Sequence, residues 1–252
     1  MKEVSILVVS CDLYADLWEP FFRCFFKYWP DCPYPIYLGT NYRKFDDGRV
    51  ASSVIGKDIS YSDNLLAMLS RVDSPWVILW VEDRFLSHRV SSERISAVIG
   101  KAARHRAGYL KLISASPLVN DHIEGEEFGE IPRSAKYRAC ITIGLWRKEV
   151  LERLLVPGET AWEIERNGSR RSALFPERFL AYGRMFRYEA AIRDRHILKK
   201  GSILRDATPF LLREGLSARL PGRKVQSLRN YLYHRSYVVL VRLLNSIGIF
   251  NY

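Results

Sequence analysis

Two short apolar runs set the pattern of the chain. Val4 to Val9 stops at the polar triplet Ser10-Cys11-Asp12, and Trp76 to Val81 runs into two adjacent carboxylates, Glu82 and Asp83. Unbroken runs of this length read as strands buried on both faces, as in a parallel α/β sheet. Between them, Asp16 to Tyr28 predicts a helix with Leu17, Phe21, Phe22, Phe25 and Phe26 on its buried face. Trp29-Pro30 ends it, because proline cannot continue a helix. Tyr34 to Leu38 predicts a strand closed by Gly39-Thr40-Asn41, and Arg43 to Gly56 reads as irregular and polar. Ser62 to Val72 predicts a helix with Ser62 or Asp63 near its N-cap. Ser91 to His105 predicts another helix, and Gly108 to Ile113 the next strand. Strands alternating with helices indicate βαβ units and a mostly parallel sheet flanked by helices, a Rossmann-type α/β fold.

Beyond Ser114 the pattern loosens. Glycines and prolines space a run of acids over residues 115–136, which reads as a functional or mobile loop. Tyr137 to Leu145 predicts a strand and Trp146 to Leu155 a short helix. Thr160 is a fitting N-cap for a helix over Ala161 to Arg166. Phe186 to Ile192 and Ile197 to Leu204 predict strands, with a hairpin around Arg193-Asp194-Arg195. No internal repeat of 20–50 residues is visible, which speaks against a solenoid or propeller.

Composition narrows the class. With 252 residues, 48% of them apolar, the chain can bury a substantial core. Cys11, Cys24, Cys32 and Cys140 form no Cys-x-x-Cys pair and lie away from the histidines, so neither a zinc site nor a disulfide framework is expected. The N-terminus has no signal-peptide pattern, and no apolar span approaches the roughly 18 residues a bilayer requires. A soluble, cytoplasmic protein is the expectation. There is no Gly-x-Gly-x-x-Gly and no Gly-x-x-x-x-Gly-Lys-[Ser/Thr], against a dinucleotide-binding oxidoreductase or a P-loop NTPase.

The net charge of +11 is concentrated at the end. Residues 217–252 hold Arg219, Arg223, Lys224, Arg229, Arg235 and Arg242 and no acid. Val225, Leu228, Leu232, Val239 and Leu243 recur there at mostly three- and four-residue steps, with Tyr231, Tyr233 and Tyr237 interleaved. A basic amphipathic helix with interfacial aromatics is a membrane-surface signal. Two other readings compete: nucleic-acid binding, and a helix docked on the domain with a solvated basic face. The first 90 residues carry many acids and no basic helix, which speaks against nucleic acid as a partner.

Glu82 and Asp83, at the end of a parallel strand, would lie on the sheet edge where open α/β sheets bind ligands. Carboxylates there can hold a divalent cation against a diphosphate, since hard cations take oxygen ligands. The plain alternative is the polar end of a buried strand.

Four segments spread over residues 4 to 205 carry a family likeness. They are Val8-Val9-Ser10-Cys11-Asp12-Leu13-Tyr14; Tyr61-Ser62-Asp63-Asn64-Leu65-Leu66 leading to Val81-Glu82-Asp83-Arg84-Phe85; Ala139 to Lys148; and Glu159-Thr160-Ala161-Trp162-Glu163-Ile164-Glu165. In this order the chain resembles GT-A-type glycosyltransferases of bacterial surface-polysaccharide synthesis, of lipopolysaccharide or capsule. The resemblance implies a GT-A-like catalytic domain over 1–216, with the nucleotide-sugar side in 1–114 and the acceptor side in 115–216, followed by the basic tail 217–252. It implies transfer of a sugar (EC 2.4) from a nucleotide-sugar donor to a hydroxyl of a lipid-linked or lipopolysaccharide acceptor, inverting and with a Glu base. With the tail, it implies work at the inner face of an anionic cytoplasmic membrane.

On this likeness the donor side is Ser10, Asp12, Tyr14, Ser62, Glu82, Asp83 and Arg84, and the acceptor side is Trp162 and Glu159. Asp83 joins the catalytic set. The base is Glu163 or Glu165; two residues apart on a helix they point about 200° apart, so only one can face the site squarely. Glu163 is the first choice. His196 and Lys199, in a basic stretch, are candidates for the diphosphate, though a solvated basic hairpin explains them as well. The family's acidic motif has an acid at its third position, where this chain has Arg84. Either Asp83, with Glu82, binds Mn2+ or Mg2+, or Arg84 itself supplies charge to the diphosphate and no metal is needed. A nucleotidyltransferase acting on sugar phosphates is the alternative enzyme. It usually carries a Gly-rich basic loop after the first strand, and Ser10 to Tyr14 has neither glycine nor base.

Overall fold

The computed structural model describes residues 3–113, 121–182, 190–216, 220, 222–233 and 235–236. Strand β1 (Val4–Val9) is buried at every residue. A 3-10 turn over Asp12–Leu17 leads into α1 (Trp18–Tyr28), which buries Trp18, Phe21, Phe22 and Phe25 and leaves Phe26 partly covered. Strands β2 (Ile36–Thr40) and β3 (Val50–Val54) run parallel to β1. β3 lies in the stretch expected to be irregular. It is the outermost strand, and its Val-Ala-Ser-Ser-Val sequence is too small and polar to stand out as an apolar run.

Helix α2 (Tyr61–Leu69) is capped by Ser60, whose hydroxyl accepts from the Asp63 N–H. The cap therefore falls before the expected Ser62 or Asp63. Strand β4 (Trp76–Val81) pairs in parallel with β1 along its whole length. After the two-residue turn Glu82-Asp83, β5 (Arg84–Leu86) departs from the main sheet. Helix α3 (Ser92–Arg104), capped by Ser91, and β6 (Ala107–Lys111) match their expected spans closely.

In the acidic stretch, β7 (Asp121–His122) and β8 (Gly129–Glu130) form a small antiparallel pair. Strand β9 (Gly144–Arg147) covers only the end of the span expected from Tyr137. It inserts antiparallel between β4 and β6, while Ala139, Cys140, Ile141 and Ile143 before it are buried without joining a strand. Helix α4 (Lys148–Leu154) follows, then α5 (Ala161–Ser172), which runs well past Arg166, and β10 (Arg178–Ala181) beside β6.

Strand β11 (Asp194–His196) pairs with β5, so the expected hairpin turn is itself a strand. The actual hairpin is β12 (Leu198–Lys199) with β13 (Ser202–Ile203). It turns at Lys200-Gly201, where both residues take left-handed backbone angles. Of the strand expected over Phe186 to Ile192, residues 186–189 lie outside the described residues. Helix α6 (Thr208–Arg213) closes the body.

The main sheet has nine strands in the order β3-β2-β1-β4-β9-β6-β10-β8-β7, with β9 and β8 against the common direction. Strand pleating sends alternate side chains to opposite layers. Ile6, Val8, Ile78 and Trp80 join the core under α1, α3 and α6. Leu7, Val9, Val77 and Leu79 join the core under α2, α4 and α5. The chain is thus an α/β protein with a mostly parallel sheet between helical layers.

The stretch after residue 216 is not wholly separate from this body. Residues 222–226 lie along β13: Val225 bridges Ile203 in parallel, Ile203 N–H donates to the Lys224 carbonyl at 2.9 Å, and Gln226 N–H donates to the Ile203 carbonyl at 2.8 Å. Residues 228–233 are helical, with Leu228, Leu232 and Tyr233 exposed. The remainder of the expected tail helix, with Tyr237, Val239, Arg242 and Leu243, lies outside the described residues. No helix among the described residues is long and apolar enough to cross a membrane.

Candidate functional site

The register of the two central strands pairs Val9 with Val81. The loop after β1 and the Glu82-Asp83 turn therefore leave the sheet side by side at its C-terminal edge. The turn is pinned from both ends. The Trp80 indole donates to the Arg84 carbonyl at 2.7 Å, and the Asp83 carbonyl accepts from Ile197 N–H at 2.8 Å. Pairing of β5 with β11 then brings His196 against Asp83, with Nε2 3.1 Å from Oδ2. Glu82 points inward. Burial, reinforced by the Asp83 charge, pushes its carboxyl up to about 8. Arg84 already has a partner, its Nε lying 3.1 Å from Asp194 Oδ2.

The second wall comes from α5. Thr160 and Glu163 form a capping box: the Glu163 carboxylate accepts from Thr160 N–H at 2.9 Å and from the Thr160 hydroxyl at 2.8 Å. These bonds hold the Glu163 carboxyl below the usual carboxylate range. Glu165, on the other side of the helix, faces the buried segment before β9 and accepts from Cys140 Sγ at 2.9 Å and from Ile141 N–H at 3.3 Å. Tyr61 stands between the two walls. Its hydroxyl is buried with no hydrogen-bond partner among the described residues. Burial pushes that hydroxyl well above the ordinary tyrosine range, and the charges of Glu82, Glu165 and Asp83 push it further. Cys140 is also raised by burial, with Lys111 opposing. The strand-end acids, Glu165, Tyr61 and Cys140 thus form one electrostatic neighbourhood.

The other residues singled out in the sequence mostly brace the loops. The Asp12 carboxylate accepts from the N–H groups of Asn41 (3.0 Å), Tyr42 (3.0 Å) and Arg43 (3.1 Å), tying the loop after β1 to the loop after β2. Ser10 Oγ accepts from the Trp18 indole at 2.8 Å. Ser62 Oγ accepts from Glu159 N–H at 3.0 Å, joining α2 to the start of α5. Glu159 takes a bidentate pair from Arg171, at 2.9 and 2.6 Å. Trp162 projects into solvent. Lys199 is lowered by partial burial and by its neighbour Lys200.

Tyr14 meets a residue from the far end of the chain. The Arg223 guanidinium sits 4.7 Å from the Tyr14 ring centroid and grips Asp16 through two bonds of 2.6 and 2.7 Å. Burial raises the Tyr14 hydroxyl, Glu82 adds to the effect and Arg223 opposes it, so this cleft adjoins the strand-end acids. The cleft has a volume of about 600 Å³ and is lined by Tyr14, Arg43, Lys200, Arg223 and Lys224 among others. Arg223 belongs to the stretch expected only as a basic tail, and Tyr61 has no expected role of its own. Neither residue has a local signal; each gains its setting from a long-range contact.

A metal fits this site only in part. Among the described residues no three His, Cys, Asp or Glu side chains form a metal-holding group. Asp83 and His196 offer one carboxylate and one imidazole. That set suits a cation completing its shell with phosphate oxygens and water, rather than one caged by protein alone.

No protein-family model matches the sequence, and no curated protein matches it. Solved structures do match in fold. A mannosyltransferase of Pyrobaculum calidifontis, in complex with GDP-mannose and Mn2+, aligns at 12% identity over 79% of this chain and 58% of that one, with a TM-score of 0.50. A fragment of S. aureus TarS aligns at 9% identity over 72% of this chain and 60% of the other, TM-score 0.47. A 2-C-methyl-D-erythritol 4-phosphate cytidylyltransferase of Thermus thermophilus aligns at 15% identity over 75% and 92%, TM-score 0.43. The chain spans less than two thirds of the length of the first two. At such identities the likeness shows the fold alone: an α/β fold with a mostly parallel sheet between helices, shared with the mannosyltransferase.

Proposed function

We propose that this protein is a glycosyltransferase that moves a sugar from a nucleotide-sugar donor to an acceptor hydroxyl, inverting the configuration at the transferred carbon. The observation that carries the reading is the grouping of Asp83 with His196, and of Glu165 with Tyr61, at one sheet edge beside a cationic cleft. The leaving diphosphate needs positive charge, and the acceptor hydroxyl needs a base.

The nucleoside diphosphate would occupy the cleft of Tyr14, Arg43, Lys200, Arg223 and Lys224. Asp83 and His196 would hold a Mn2+ or Mg2+ ion that takes its other ligands from the diphosphate, in agreement with the Mn2+ in the mannosyltransferase of like fold. A cation bound there supplies charge to the leaving group. Arg84 fits the metal-free alternative less well, because Asp194 already answers its charge. For the base, Glu165 is favoured over Glu163: it lies near Tyr61 and the strand-end acids, while Glu163 is engaged in the helix cap. Cys140 S–H and Ile141 N–H hold the Glu165 carboxylate in place, and the acceptor hydroxyl would give its proton to that carboxylate. Trp162, exposed at the start of α5, would meet a glycan or lipid-linked acceptor. The basic tail, with Leu228, Leu232 and Tyr233 exposed, would seat the enzyme on the anionic inner face of a cytoplasmic membrane, as in lipopolysaccharide or capsule assembly. Nucleotidyl transfer is less well supported, since the loop from Ser10 to Tyr14 has no glycine or cation.

A thermal-shift screen of UDP-, GDP-, dTDP- and CMP-sugars, with and without Mn2+, tests this. A donor at a hundred times its Kd stabilises by about 2.7 kcal/mol. One nucleotide sugar should stand out, more strongly with the metal. Stabilisation by free nucleoside triphosphates and by no nucleotide sugar would transfer the case to the nucleotidyltransferase.

A further inference from the structure

One wall of the cationic cleft comes from the far end of the chain. Gly222, Arg223 and Lys224 line it together with Tyr14 and Asp16 of the 3-10 turn after β1 and Lys200 of the β12–β13 turn. The Arg223 guanidinium joins these pieces. Its Nε and one terminal nitrogen grip Asp16 at 2.6 and 2.7 Å. The same terminal nitrogen donates to the Leu13 carbonyl at 3.3 Å, and the other donates to the Gly201 carbonyl at 3.4 Å. The planar fork also lies over the Tyr14 ring. A fork that is bidentate and stacked at once is arginine chemistry that lysine cannot copy.

The backbone around Arg223 is docked as well. Arg223 N–H donates to the Leu220 carbonyl at 3.0 Å, and Leu220 is buried in the core under α1, α3 and α6. Gly222 takes a φ of +80°, a backbone angle that favours glycine. On the other side, the Lys224 carbonyl and the Gln226 N–H bond to Ile203, and Val225 packs against the same core as Leu220. Past Gln226 the helical residues 228–233 are largely exposed.

Residues 222–226 are thus held by ladder bonds at Ile203 and by the Arg223 guanidinium, at the border of the cleft. A short segment held in this way opens locally at a lower free energy than the buried strands β1 and β4. The docked and the opened segment differ in the cleft itself. Docked, the segment supplies Gly222 and Lys224 as lining and fixes Tyr14 and Asp16 through Arg223. Opened, it removes that wall and releases the turn after β1.

We propose that residues 222–226 are a strap whose docking is linked to nucleotide binding. The proposal rests on the reading of the cleft as the nucleoside-diphosphate site. A nucleotide that touches the strap and the turn after β1 together binds only the docked form. It therefore holds the strap down, and by reciprocity whatever loosens the strap weakens the nucleotide by the same factor. Arg223 is the pin of the strap, a positioning residue whose charge Asp16 already answers. Arg43, Lys200 and Lys224 are left to meet the diphosphate. The chain's own C-terminal segment thus decides whether the donor cleft is complete.

Asp16 provides the test, because a pin and a simple charge predict opposite signs there. Asp16→Asn removes a negative charge from the cleft. If Arg223 served only as a charge, an anionic nucleotide would then bind more tightly. If Arg223 is a pin, the loss of its bidentate partner frees the strap, and binding weakens about tenfold. Arg223→Lys keeps the charge without the fork and should weaken binding to a similar extent. Full-length protein is titrated calorimetrically with UDP, GDP, dTDP and CMP in the presence of Mn2+, and amide hydrogen exchange is followed with and without the nucleotide that binds. That nucleotide should slow exchange at the Ile203 and Gln226 amides of the wild type. The slowing should shrink in both variants. Binding to Asp16→Asn as tight as to wild type, or tighter, overturns the strap. So does nucleotide binding that leaves the Ile203 and Gln226 amides unchanged, a result read on the wild type alone even where a variant misfolds. In both cases the nucleotide site itself stands. If none of the four nucleotides binds the wild type, the reading of the cleft falls and the strap falls with it.

Discussion

Two pairs of acids border the candidate site, and they are built on different principles. Glu82 and Asp83 are neighbours in a turn at the end of a strand. Glu163 and Glu165 are two apart in the first turns of a helix. In the turn, one side chain goes into the core and the other meets His196. On the helix, one closes the cap and the other faces Cys140. In each pair the architecture occupies one acid and leaves the second at the site. Closeness in sequence therefore assigns no shared role; the geometry of the local element divides the work.

The comparison breaks most visibly at Asp83. Asp83→Ala should bring sugar transfer below detection while circular dichroism still reports a folded protein. Near-normal turnover by a folded variant would remove the strand-end pair from the site. Next in size is the helix pair. Glu165→Gln should lower kcat by about 10²–10⁴-fold, the usual loss for a general base, with little change in donor affinity. Glu163→Gln, which keeps an acceptor for the cap, should stay within a few-fold of wild type. Steady-state kinetics giving the opposite ranking would turn the helix round and restore Glu163 as the base.

Glu82 sharpens the comparison through pH. Its folded-state value is raised from 4.5 to about 8. Below the lower value both folded and unfolded chains hold the proton. Between the two values only the folded chain keeps it, so this contribution to stability is lost as pH rises through that window. In metal-free protein, urea unfolding at pH 5 and pH 8.5 should show a larger loss for wild type than for Glu82→Gln. Equal losses would mean that Glu82 ionises like a surface acid. The smallest effect belongs to the cap: Thr160→Ala should cost about 1 kcal/mol of stability, read from the same urea curves. A neutral result would show that Glu163 is not tied to the helix end and is available for chemistry.

Several of these placements were legible in the chain. The runs Val4 to Val9 and Trp76 to Val81 read as strands covered on both sides, and their core residues divide between the two layers in alternation. The phenylalanine spacing of α1 marked its buried face. One signal was present and read for another purpose. Thr160-x-x-Glu163 is a capping-box pattern, so the sequence already held a reason to expect Glu163 to be engaged at the helix end. Strand β3 escaped because an edge strand of small and polar residues has little apolar contrast, and β9 because the buried residues before it never reach a ladder.

What the sequence by itself determined was the alternation of strands and helices up to β6, apart from the edge strand β3, the burial of β1 and β4, the strand-end position of Glu82-Asp83 and the Thr160 cap. These follow from apolar periodicity and capping, which act over a few residues. Only the tertiary structure decided that His196 meets Asp83 across 113 residues, that Arg223 grips Asp16 across 207, and which acid of each pair looks into the site. Such contacts depend on strand order and on how the loops close. No local pattern encodes either one.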